Sequence, residues 1–117
     1  MLHKIINAHS PQQLSQRMNN TQYMVDFTLP KEMSEEFISL IPRQRSMVNR
    51  LLGAGKLMQY ALSLENGKLW AIFSVEGEPE LDEIILEMPL SRFMKWRTSE
   101  LTFYNAAHPV VPIFSVN

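Results

Sequence analysis

The chain contains no cysteine, which excludes disulfides, thiolate catalysis and cysteine-based metal sites. Its three histidines, His3, His9 and His108, stand at no recognised ligand spacing, so no metal site is expected. Charge of neither sign dominates. A formal net charge of -1 at pH 7 lacks the basic excess that a phosphate backbone demands, and no nucleic-acid partner is expected. No apolar run approaches the ~20 residues of a membrane span. The opening stretch "MLHKIINAHSPQQLSQRMNN" has no unbroken apolar centre of the kind a signal peptide carries. These absences lead us to expect a soluble protein, cytoplasmic by default, with no membrane partner.

What is present is enough for one core. In 117 residues, 45% hydrophobic and 20% charged, a single globular domain is expected. Residues 1–21 read as a polar, Gln/Asn-rich appendage in which Ser10-Pro11 can cap a short helix. Residues 22–106 read as the domain, and 107–117 as an extended arm held straight by Pro109 and Pro112, with apolar Val110, Val111, Ile113 and Phe114.

Periodicity orders the domain. In "QYMVDFTLP", Tyr23, Val25, Phe27 and Leu29 alternate with Met24, Asp26 and Thr28, the period of a strand. Ser34 caps a helix with Glu35 and Glu36 at its positive end. Met33, Phe37, Leu40, Ile41, Val48, Leu51 and Leu52 form its buried stripe, Pro42 predicts a kink or break near Ile38 to Pro42, and Gly53 and Gly55 end it. Two strand-like runs flank Asn66-Gly67, a hairpin signal. A two-residue loop there would set Leu64 against Leu69, Leu62 against Ala71, Tyr60 against Phe73 and Met58 against Val75.

Pro79 starts a second helix with Leu81, Ile84, Ile85 and Met88 on one face, and Pro89 stops it. A last strand over "KWRTSELTFYN" alternates Ser99, Leu101 and Phe103 with Thr98, Glu100, Thr102 and Tyr104. The order βαββαβ predicts an α+β, ferredoxin-like fold, an antiparallel sheet with both helices on one face. The other face, with Met24, Trp70 and Ile72 beside Asp26, Glu100 and Tyr104, is too apolar for water, and a second copy of the sheet is its natural cover.

Four segments, "FTLP", "AGK", "MPLSRFM" and "HP", resemble the muconolactone isomerase family over about Tyr23 to Pro109. The charged residues of that family's first helix and first hairpin do not reappear, since this chain has "IPRQRS" and "QYALSLENG" there. The resemblance implies subunits paired sheet to sheet as a dimeric α/β barrel, often assembled further into rings, so the expected partner is the chain itself. In "EMPLSRFM", Leu90, Phe93 and Met94 are expected to anchor the crossover after Pro89 as core, with no catalytic role.

The chemistry the resemblance implies needs no cofactor: a proton leaves a carbon beside a lactone carbonyl and returns elsewhere, shifting a double bond in a small lactone or unsaturated acid. That step needs a base, a proton donor and a dry pocket. Asp26 and Glu100 on neighbouring strands are the candidate acid/base pair, and Tyr104 a third catalytic candidate. Ser63 and Trp70, expected opposite one another with Ala61 beside them, are candidates for a ligand pocket. Arg43 and Arg45 in "IPRQRS", and His108, are further candidates for substrate binding. Two other readings stand beside this one: cofactor-free oxygenation in a Trp/Tyr-lined pocket, and a non-catalytic oligomer that binds a small ligand or only assembles.

Overall fold

The computed structural model describes residues 20–107. The appendage up to residue 19 and the arm beyond Ala107, with His3, His9 and His108, lie outside the described residues. Strand β1 is Thr21–Thr28, helix α1 Glu35–Gly53, β2 Leu57–Ser63, β3 Lys68–Val75, α2 Glu78–Glu87 and β4 Lys95–Glu100, with a 3-10 turn at Ser91–Phe93 before β4. The sheet order is β2-β3-β1-β4, and every neighbouring pair is antiparallel. The fold is thus α+β and ferredoxin-like, as the element order predicts. No helix among the described residues is long and apolar enough to cross a membrane.

One core forms because one face of the sheet and one stripe of each helix are apolar. Tyr23, Val25 and Phe27 from β1, with Leu69, Ala71, Phe73 and Val75 from β3, pack against Phe37, Met47 and Val48 of α1 and Leu81 and Ile85 of α2. Ser34 caps α1 as expected, its Oγ accepting from the Phe37 N–H at 3.1 Å. The helix does not break at Pro42. Ile38 and Pro42 are both exposed, so the backbone bond that Pro42 cannot make is lost on the solvent side of the helix, where its cost is least. The buried stripe also differs from the expected one: Met33, ahead of the cap, and Leu52, rotated to its edge in the last turn, are exposed, while Gln44 and Met47 are buried.

The hairpin turn is longer than the two residues expected. Ser63 faces Lys68, leaving Leu64 to Gly67 as the turn, and Leu62 therefore meets Leu69 and Tyr60 meets Ala71. Side-chain chemistry favours the longer turn, since Ser63 Oγ accepts from the Asn66 N–H at 3.2 Å and Gly67 takes the positive φ of 65° that suits glycine. A bulge between Leu57 and Gln59 then puts Leu57 against Phe73 in the core and leaves Met58 exposed. Val75 pairs with Thr21 of β1.

The last strand departs most. It ends at Glu100, after which the Leu101 N–H donates to Gln22 O at 2.8 Å, and Thr102, Phe103 and Tyr104 lie beyond it. Its faces are reversed from the expected ones. Trp96, Thr98 and Glu100 stand opposite Phe27, Val25 and Tyr23 on the helix side, and Lys95, Arg97 and Ser99 stand opposite Thr28, Asp26 and Met24 on the open side. Trp96 sets this choice by packing its ring 6.1 Å from that of Phe27, and a one-residue change of parity moves every side chain of a strand across the sheet.

The corner "MPLSRFM" is core, as the sequence predicts. Met88, Leu90 and Met94 are buried, and Phe93 stacks edge-on against Phe37 at 5.5 Å. Its backbone is held by a residue the hydrophobic pattern passes over. Buried Gln44 accepts from the Leu90 N–H at 3.0 Å and donates to Tyr60 Oη at 3.0 Å, tying α1, β2 and the corner together. Gln44→Leu keeps the bulk but strands the Leu90 N–H, so we expect a loss of about 1–3 kcal/mol. Chemical unfolding of the variant, and of Tyr60→Phe as the partial deletion, measures it.

A second polar tie joins the loop before β2 to α2. Glu80 meets Lys56 Nζ through one oxygen and accepts the Glu76 N–H at 2.8 Å through the other. Partial burial pushes the Glu80 carboxyl up, but the Glu76 N–H and Lys56 together outweigh it and hold the pKa below the ordinary 4.5. A depressed carboxyl stabilises the fold above its unfolded value and loses that contribution as pH falls through the folded one. Melting temperature measured against pH should therefore fall more steeply below pH 4.5 in the parent than in Glu80→Gln, which should start lower at neutral pH.

Candidate functional site

The sheet face away from the helices gathers polar and charged side chains around Asp26. Strand register arranges it in rows: Ala61, Trp70, Asp26 and Arg97 across the middle, with Gln59, Ile72, Met24 and Ser99 to one side and Ser63, Lys68, Thr28 and Lys95 to the other. On this face Ile72 is 7% exposed and Met24 36%.

Asp26 sits at the centre of this face because β1 is an inner strand and alternation turns its even positions away from the helices. Its side chain is 35% exposed, yet Oδ1 is buried and accepts no hydrogen bond among the described residues. Lys68 Nζ lies 3.2 Å from that oxygen as an ion pair and also donates to Thr28 Oγ1 at 3.0 Å. The contact pairs the Asp26 carboxylate with the Lys68 ammonium on this face. Trp70 flanks Asp26 on β3, and Arg97 flanks it on β4.

The other expected site residues separate from Asp26. Glu100 pairs with Tyr23 on the opposite face, so it and Asp26 do not form a carboxylate pair. On that face, burial and then the charges of Glu100 and Glu78 push the Tyr23 phenol above its ordinary value. Tyr104 is half-buried beyond the end of β4 and does not continue the strand. Ser63 faces Lys68 instead of Trp70, which stands opposite Ala61, and its hydroxyl is engaged by the Asn66 N–H. Arg43 and Arg45 are exposed on α1, which packs on the other face of the sheet.

Lys68, Thr28 and Arg97 take the places that the separated residues leave. A signal for Lys68 was available, since it lies two positions before Trp70 in the same strand and shares its face. Arg97 gave none without the parity of β4. Among the described residues no group of histidines or carboxylates is arranged to hold a metal ion.

Comparison with known proteins places this geometry in a family. The fold is similar to a crystal structure of muconolactone isomerase, at 17% identity over 77% of this chain and 97% of that one, with a TM-score of 0.62. It is also similar to a dimeric ferredoxin-like protein from an uncultured marine organism, at 15% identity over 80% of this chain and 99% of that one, with a TM-score of 0.42. At 17% identity, the likeness to muconolactone isomerase speaks for the fold alone. No curated protein matches the sequence. The family model for muconolactone delta-isomerase matches residues 21–107, most of the chain and every element described above, and the chain belongs to that family.

Proposed function

We propose that this protein is a cofactor-free isomerase that shifts a double bond in a small lactone or unsaturated acid, with Asp26 as the group that removes and returns the proton. The observation that carries the reading is Asp26 at the centre of the open sheet face, its Oδ1 buried beside Lys68 Nζ, in a muconolactone delta-isomerase family member. The carboxylate is still about a third exposed, so a carbon acid placed against this face can reach it to give up a proton. Trp70 supplies an apolar wall on one side. Lys68 and Arg97 supply positive charge beside Asp26, where negative charge develops on a carbonyl oxygen in the transition state.

The working form is a homodimer or larger assembly, paired through this face. Met24, Ile72 and Trp70 are the apolar part of the contact, and closure by a second sheet excludes water from Asp26. Residues 22–106 make up the working domain. A screen of unsaturated lactones and acids, followed by ultraviolet absorbance with no cofactor added, tests the reading. Interconversion of double-bond isomers is expected for at least one member. Ligand-induced thermal stabilisation without turnover across the panel would leave a binding protein in place of the enzyme.

A further inference from the structure

The Asn66-Gly67 turn carries a chemistry of its own. Asn66 is exposed, and among the described residues its side-chain amide makes no hydrogen bond, its only bond being the backbone N–H to Ser63 Oγ. Gly67 has φ of 65° and carries no side chain of its own to crowd the approach of the Asn66 side chain to the peptide nitrogen. The one restraint on that nitrogen is its hydrogen bond to Leu64 O, at 3.2 Å the long end of the ordinary range. Of the asparagines within residues 20–107, Asn66 alone precedes glycine; Asn20, Asn49 and Asn105 precede Thr21, Arg50 and Ala106, each of which carries a Cβ.

We propose that Asn66 is a site of spontaneous deamidation. The deprotonated Gly67 nitrogen attacks Cγ of Asn66, the new C–N bond closes a five-membered succinimide, and the Cγ–Nδ2 bond breaks to release ammonia. Water then adds to one of the two ring carbonyls and breaks a ring C–N bond, leaving aspartate or isoaspartate at position 66. No oxidant or reductant takes part. The product bears on the open sheet face because the turn is built into it: Gly67 O accepts the Leu29 N–H at 3.0 Å, and the next residue, Lys68, lies against Asp26 and Thr28. Deamidation adds a carboxylate two positions before Lys68, and the isoaspartate product also lengthens the main chain ahead of it.

The test is to hold the intact protein in mildly alkaline buffer at body temperature and follow each asparagine-containing peptide by mass. An isoaspartyl methyltransferase serves as reagent for the rearranged product. Conversion at Asn66 should outpace that at Asn20, Asn49 and Asn105, and Gly67→Ala should slow it. Because Gly67→Ala is strained at positive φ, Asn66→Gln is the second variant, expected to keep the turn and to remove the isoaspartate signal from its peptide. Faster conversion at any of the other three asparagines, or an unchanged rate in Gly67→Ala with the hairpin intact by circular dichroism, would overturn the assignment.

Discussion

Asp26→Asn should lower isomerisation by about 10²–10⁴-fold while leaving the chain folded, the range set by removal of a positioned proton-transfer group. Asparagine keeps the shape and one carbonyl acceptor but cannot hold the abstracted proton. The alternative, that Asp26 matters only as a partner for Lys68, predicts a different loss. Both side chains are about a third exposed, 33% for Lys68 and 35% for Asp26, and such ion pairs contribute at most about 1 kcal/mol to stability. A large fall in turnover with a small change in melting temperature separates the two roles. Asp26→Glu, which restores the base on a longer stem, should recover part of the rate if chemistry is the cause.

If the chain pairs through its open sheet face as proposed, Met24→Glu should convert that assembly to monomers without unfolding the chain. Met24 is a suitable probe because it lies on the open face of β1 and is 36% exposed within the chain, so a glutamate there remains hydrated in the monomer. In the assembly it would be buried without a partner, at a cost of several kcal/mol. Ile72→Glu is the less clean test, because Ile72 is only 7% exposed within the single chain and its loss would also destabilise the fold. Sedimentation of parent and Met24→Glu at equal concentration, with circular dichroism as the folding control, reads the result. An unchanged sedimentation coefficient would remove this face as the interface.

The sequence carried the elements but not the parity of one strand. Alternation in "YMVDFTL" settled the face of Asp26 because Tyr23, Val25 and Phe27 are large and apolar, so burying them leaves no choice of side. In "KWRTSELTFYN" the apolar residues sit on both parities. Trp96 argues for one, Leu101 and Phe103 for the other, and Phe103 proves to lie beyond the strand, 78% exposed. That ambiguity moved Glu100 to the wrong face and hid Arg97. The hairpin error was milder: lengthening the turn from two residues to four preserves which residues share a face from Gln59 to Ser63, though it changes which of them touch. Gln44 was legible in hindsight as a polar residue seven positions after Phe37, within the buried stripe, where it must find buried partners and does.

The acid/base assignment stands or falls on proton exchange at substrate carbon. Incubating the protein with small unsaturated lactones in deuterium oxide, and following the carbon-bound hydrogens by proton NMR, detects abstraction even where the isomerisation equilibrium hides net conversion. The account predicts deuterium entering the position next to the carbonyl with the parent protein and a rate near background with Asp26→Asn. Equal incorporation by both proteins would contradict it.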